Sequence, residues 1–61
     1  MQTIMLLEAM AEARRFLDMA EEARDRLEHD KYASISGSKE VAAAKRASLD
    51  LTRALARMRQ P

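Results

Sequence analysis

Gly37-Ser38-Lys39-Glu40-Val41-Ala42-Ala43-Ala44, running on through Lys45-Arg46-Ala47-Ser48-Leu49-Asp50 to Arg57-Met58-Arg59, is the stretch whose reading decides the fold. It has the pattern of one amphipathic helix. Val41, Ala44, Ser48, Leu51, Leu55 and Met58 recur at the alternating three- and four-residue spacing of a packing seam, with Ala47 and Ala54 alongside. Ser36 or Ser38 can cap its start, and Glu40 in the first turn suits the positive end of the helix dipole. Arg57 and Arg59 suit the negative end, and the helix stops before Pro61.

Upstream lies a longer periodic run. It begins at Ile4, with Thr3 as the expected cap, and fades near His29-Asp30-Lys31. Leu6, Met10, Ala13, Leu17, Ala20 and Leu27 trace the expected seam, which Arg24 interrupts once. Ala9, Phe16, Ala23 and Leu27 form a second row beside it, and together with Met5 and Met19 the two rows cover about half the circumference. One partner helix cannot bury a face that wide.

The connection, Tyr32-Ala33-Ser34-Ile35-Ser36-Gly37-Ser38, is rich in turn-forming and capping residues. The expectation is an all-α chain forming a single domain: helix one over about residues 4–29, a loop over 30–37 and helix two over about 38–59, paired as an antiparallel hairpin. Tyr32 and Ile35 either fold back over the open end of the hairpin or stand out as anchors for a partner.

Composition bounds what such a chain can be. Sixty-one residues make one small domain, and a chain of that length buries only about 60% of its unfolded surface. With no cysteine, disulfides and thiolate metal sites are excluded. The start has no basic region and only four consecutive apolar residues, Ile4-Met5-Leu6-Leu7, so it reads as neither a signal peptide nor a membrane span. A cytoplasmic location is expected.

The net charge of +1 hides an asymmetry. Residues 1–31 carry five basic against eight acidic groups, a charge of −3, and residues 32–61 carry six against two, a charge of +4. An acidic helix facing a basic one favours antiparallel pairing, within the chain or between chains.

The two helices differ in length, roughly 38 Å against roughly 31 Å. The longer one should overhang at Ile4-Met5-Leu6-Leu7, the most hydrophobic part of the chain. A bare apolar tip and an over-wide stripe argue for self-association. The expectation is an antiparallel homodimer forming a four-helix bundle, with Ile4, Met5, Leu6, Leu7, Met10 and Phe16 at the contact.

Chemical motifs give way to structural readings. Ser36-Gly37-Ser38-Lys39 matches the S-x-x-K spacing of a serine nucleophile and its lysine, but that chemistry needs a large pocket and two further motifs. His29 has Asp25 a turn before it and Asp30 beside it, too few ligands for a structural or catalytic metal. Ser48 follows Lys45-Arg46-Ala47 as in a basic-directed phosphorylation site, yet it falls on the expected seam. No cofactor and no catalytic residue are expected.

The surface that stands out is basic. Lys39, Arg46 and Arg53 recur every seven residues with Arg57 a turn beyond, and Ala42, Leu49 and Ala56 run beside them, away from the seam. Leu49 framed by Arg46 and Arg53 has the make-up of a small hot spot. Three readings stay open: a helix contact inside an oligomer, a docking face for another protein with Tyr32 contributing, or a phosphate-binding face for nucleic acid. An isoelectric point of about 8.2 and the lack of stacking aromatics weigh against nucleic acid.

Residues Val41 to Ala56, Val-Ala-Ala-Ala-Lys-Arg-Ala-Ser-Leu-Asp-Leu-Thr-Arg-Ala-Leu-Ala, resemble the C-terminal part of small helical accessory proteins encoded by temperate bacteriophages and prophages. The resemblance carries no catalytic motif and transfers no functional residue. It implies a class of activity: binding a host defence or regulatory protein and modulating or blocking it, or, in a few cases, sequestering a signalling nucleotide in basic pockets between subunits.

Overall fold

The structure, a computed structural model, describes residues 2–30 and 37–60. Two helices account for nearly all of them, α1 over Thr3–His29 and α2 over Lys39–Arg59, packed against each other with no strand among the described residues. Tyr32 and Ile35 lie outside the described residues.

Each helix end has a local cause. At α2 the Ser38 hydroxyl accepts a hydrogen bond from the Val41 N–H at 3.1 Å, and the Ser38 carbonyl takes the Ala42 N–H at 3.0 Å. Just before it, Gly37 has φ +83°, a left-handed turn in which an L side chain would be strained. The expected Thr3 cap is corrected: Gln2 is the N-cap, without a side-chain bond, and Thr3 is the first helical residue. The Gln2 carbonyl instead accepts from the Met5 and Leu6 N–H groups.

The other end of α1 closes on itself. The Asp30 N–H donates to the Arg26 carbonyl at 2.9 Å, and the Arg26 guanidinium meets the Asp30 carboxylate at 3.2 Å. His29 Nδ1 donates to the Asp25 carbonyl at 2.7 Å, which ties the imidazole back along the last turn.

The helices pack on alanine. The buried side chains among the described residues are Ala9 and Ala23 of α1 and Ala47 and Ala54 of α2, the last two only 1% exposed. On α1, Ala9, Phe16 and Ala23 are spaced by seven, and Met5, Glu12 and Met19 fill the alternate positions of the same heptad, all half-buried. The seam is therefore the second of the two rows in the sequence. The row expected to form it, Leu6, Met10, Leu17 and Leu27, is exposed.

Arg24 supplies the reason. It occupies one heptad position of the leucine row, so facing that row to α2 would draw its guanidinium out of water, whereas the charge within the adopted seam, Glu12, lies 3.3 Å from Arg15. Turning α1 by about 100° puts Ala23 there instead. The same rotation on α2 brings Ala47 and Ala54 inward and moves Val41, Ser48, Leu51 and Leu55 to the side.

Register follows from two ion pairs that join the helices. Arg15 donates to the Asp50 carboxylate, and Arg57 Nε lies 3.6 Å from Glu8 Oε2. The pairs are seven residues apart on both helices, which fixes an antiparallel register. With Glu8 opposite Arg57, the N-terminal overhang of α1 shrinks to about one turn, shorter than Ile4 to Leu7. Within that stretch Met5 turns to the seam, while Ile4, Leu6 and Leu7 stay exposed.

A seam built on alanine tolerates no added volume. Ala47→Leu should destabilise the fold by about 1–3 kcal/mol through overpacking. Ala11→Leu, on the exposed side of α1, should stay within about 0.5 kcal/mol. Urea titrations at one protein concentration compare them, and equal midpoints would refute the alanine seam.

Candidate interaction surfaces

Rotating both helices onto alanine sorts the remaining side chains. In an antiparallel pair the two Arg–carboxylate bridges mark one flank, and the residues on the opposite side of each seam share the other. The bridged flank is charged. On it Arg15 holds two carboxylates, Asp50 of α2 and Glu12 of its own helix at 3.3 Å. Glu12 Oε2 is closed off from solvent and, though near the Arg15 guanidinium, accepts no aligned hydrogen bond. Arg53 approaches the far oxygen of Asp50 at 4.0 Å.

Two open cavities lie along this flank. The larger, about 680 Å³, sits near the turn and is lined by Glu22, Asp25, Arg26, Lys39, Glu40 and Ala43. Its charges largely offset one another. The smaller, about 320 Å³, is lined by Arg15, Met19, Lys39, Ala42, Ala43 and Arg46, so it is basic. Arg15 is already engaged by Glu12 and Asp50, which leaves Lys39 and Arg46 as its uncommitted cations among the described residues.

The opposite flank is apolar. At about 100° per residue, Leu6, Met10, Ala13, Leu17 and Ala20 stand on its α1 side. Val41, Ala44, Ser48, Leu51 and Leu55 stand on its α2 side. The α1 leucines are the more exposed, Leu17 at 58%, and the α2 residues are half-buried. Polar groups intrude little. Ser48 Oγ donates to the Lys45 carbonyl at 2.6 Å, so its hydroxyl is satisfied within the helix. Arg24 is the one charged residue in the α1 row, and among the described residues its guanidinium reaches only Asp25, at 3.8 Å.

The outward side of α2 is a third surface. Leu49 is 59% exposed there, with Ala42 and Ala56 exposed at seven residues on either side. Among the described residues no carboxylate stands within ion-pair distance of Arg46, and Arg53 has only its long contact to Asp50. Arg57, expected to belong to this face, turns instead to Glu8.

The sequence-derived candidates thus divide. Leu49, Arg46 and Arg53 are brought together. Arg57 joins the charged flank, and Tyr32 lies outside the described residues. Of the self-association set, Leu6 and Met10 stand on the apolar flank, Ile4 and Leu7 on the outward side of α1, and Met5 and Phe16 on the intrachain seam. Arg15 and Asp50 were missed as a pair. Their only signal is that each is a charge bordering a row of alanines.

No protein-family model matches the chain, and comparison with curated proteins and with solved structures finds no significant match. No described helix is long and apolar enough to cross a membrane.

A double-mutant cycle of Arg15→Ala and Asp50→Ala should show a coupling of about 0.2–1 kcal/mol, because both side chains are over a third exposed, 46% and 35%. The coupling should shrink in high salt. A coupling indistinguishable from zero at low salt would remove the pair from the forces that set the register.

Proposed function

We propose that this protein is a non-enzymatic interaction module: a homodimeric four-helix bundle that binds a host regulatory or defence protein and modulates it. The observation that carries the reading is the open apolar flank. Leu6, Met10 and Leu17 stand exposed beside the half-buried Val41, Leu51 and Leu55, with Arg24 the one charge in the α1 row.

Surface area supports a second copy as what covers it. The chain exposes 4946 Å², about 900 Å² more than the roughly 4000 Å² of a compact monomer of 6.9 kDa. A standard interface removes about 800 Å² from each partner. An excess of this order leaves enough exposed surface for one interface. A two-fold axis across the flank stacks two hairpins as the two layers of a bundle, apolar on apolar. It also keeps both charged flanks, with the Arg15–Asp50 and Arg57–Glu8 bridges, out of the contact.

The partner-binding half of the reading rests on the exposed Leu49 with Arg46 and Arg53. The likeness of residues 41–56 to phage accessory proteins supplies the class of target.

Sedimentation equilibrium at micromolar concentration should give about twice the chain mass. Leu17→Glu should raise the dissociation constant at least about a hundredfold, since the two-fold places two buried carboxylates in one interface. Leu49→Glu should leave the dimer mass unchanged and abolish capture of the host protein from a nuclease-treated lysate. A wild-type monomer at that concentration would overturn the dimer, and capture insensitive to Leu49→Glu would remove the α2 outer face from the reading.

A further inference from the structure

We infer that the outer face of α2 is built to receive one kind of partner element, an acidic amphipathic helix, laid along Ala42, Leu49 and Ala56. The inference rests on the interaction-module reading and gives the chemistry of what that module binds.

The charge of this face is set by where the carboxylates of α2 go. There are two, Glu40 and Asp50, and both are half-buried on the α1 side of the helix. Asp50 accepts from Arg15, and Glu40 lines the cavity near the turn. What remains outward is cationic: Lys45, Arg46, Arg53 and Arg59 border the apolar line. Because the acidic side chains among the described residues lie on α1 or are drawn toward it, Arg46 has no carboxylate within ion-pair distance there and Arg53 has only its 4.0 Å contact to Asp50, so both can take carboxylates from outside. Arginine beside a desolvated apolar anchor is the arrangement that makes ion pairs count at an interface.

The shape specifies a helix. Ala42, Leu49 and Ala56 lie on one line at about 10.5 Å intervals, over about 21 Å in all. The small side chains leave a depression on each side of the Leu49 knob. A facing helix presents its own side chains at the same two-turn repeat, so one apolar residue can seat in each depression while Leu49 fills a hole opposite. Its flanking carboxylates then fall beside Arg46 and Arg53. A nucleic-acid backbone would answer the cations but offers no apolar group to cover Leu49.

A second copy of this chain fits poorly. The outward line of α1 reads Ile4, Ala11, Asp18 and Asp25 at seven-residue spacing, so carboxylates occupy two successive positions of the line where apolar knobs are required. The apolar flank proposed for dimerisation lies on another side of α2, so both surfaces are open to use together.

The test uses fluorescence anisotropy on the intact protein with four defined probes. One is a helix-stapled peptide of about five turns with leucines at heptad spacing and glutamates beside them. The others are its scrambled sequence, its lysine-for-glutamate counterpart and a short DNA duplex. The acidic amphipathic peptide should bind and weaken as salt rises. Leu49→Glu should weaken it at least about tenfold, Leu49→Gln by less, and Arg46→Ala with Arg53→Ala should weaken it while reducing the salt dependence. The lysine counterpart and the scrambled peptide should bind at least about tenfold more weakly.

Equal binding of the scrambled peptide would overturn the inference by showing charge alone to suffice. Equal binding of the duplex, insensitive to Leu49, would overturn it in favour of nucleic acid. No peptide binding by a protein of dimer mass would also overturn it, yet a host protein still captured through Leu49 would leave the interaction-module reading standing. Circular dichroism and sedimentation of each variant confirm that a loss of binding is not a loss of fold.

Discussion

The close approach of two helices over alanine is the constraint from which the other features follow. With Ala9 and Ala23 facing Ala47 and Ala54, the contact is made of the small side chains that let helix axes approach toward the lower end of the usual range of about 8–10 Å. At that distance the seam has no room for rows of leucine. The larger side chains are displaced to the flanks, and since each helix has one apolar and one charged flank, the hairpin acquires two chemically opposite sides. Alanine burial contributes little per residue, because the hydrophobic effect scales with area. The geometry is therefore well defined by a contact that is energetically modest, and the apolar area able to add stability lies on the outside.

Electrostatics completes the sorting. The −3 and +4 halves of the chain meet along one flank, where Arg15 reaches Asp50 and Arg57 reaches Glu8. Each pair is half-exposed, so neither contributes more than about 1 kcal/mol. Their value lies in placement. A shift of α2 by two turns would separate both pairs and set Arg15 beside Arg57 or Glu8 beside Asp50, which is a penalty against the wrong register rather than a large reward for the right one. By drawing Asp50 inward, the same pairs leave the outer face of α2 without a carboxylate of its own.

The helices and their ends were largely legible in the sequence, because propensity, the Ser38 cap and the cluster of turn residues all act locally. The α1 start was misplaced by a residue for a related reason: Thr3 is a good capping type, but Gln2 supplies the first backbone acceptor and α1 starts without a side-chain cap. The seam was harder to place. On each helix two apolar rows lie about 60–100° apart, and side-chain volume favours the leucine row. The deciding signal was Arg24, the single interruption of that row, against Ala9, Phe16 and Ala23, beside which the one charge, Glu12, has Arg15 within reach. Leu49 was legible because it shares no row with any seam residue. The cross-helix Arg15–Asp50 pair was not, since periodicity within one helix says nothing about register between two.

The two unpartnered surfaces also have to be compatible. Leu51 and Leu55 on the apolar flank and Leu49 on the outer face diverge by about 120–160° around α2. Covering one therefore leaves the other in water, and in the proposed dimer each bundle carries two outer faces related by the two-fold. A partner that presents two acidic helices meets the second face at an effective concentration set by its own linker, so modest affinity at one Leu49 site becomes strong retention by the pair. By this route a docking face with only one large apolar side chain would suffice for the proposed binding of a host protein. The proposed dimerisation would then do more than cover the leucines that the alanine seam pushes outward, because it would also couple the stability of the fold to its binding strength. Weakening the apolar flank, with Leu49 untouched, would lower the apparent affinity for a two-helix partner far more than for a single helix.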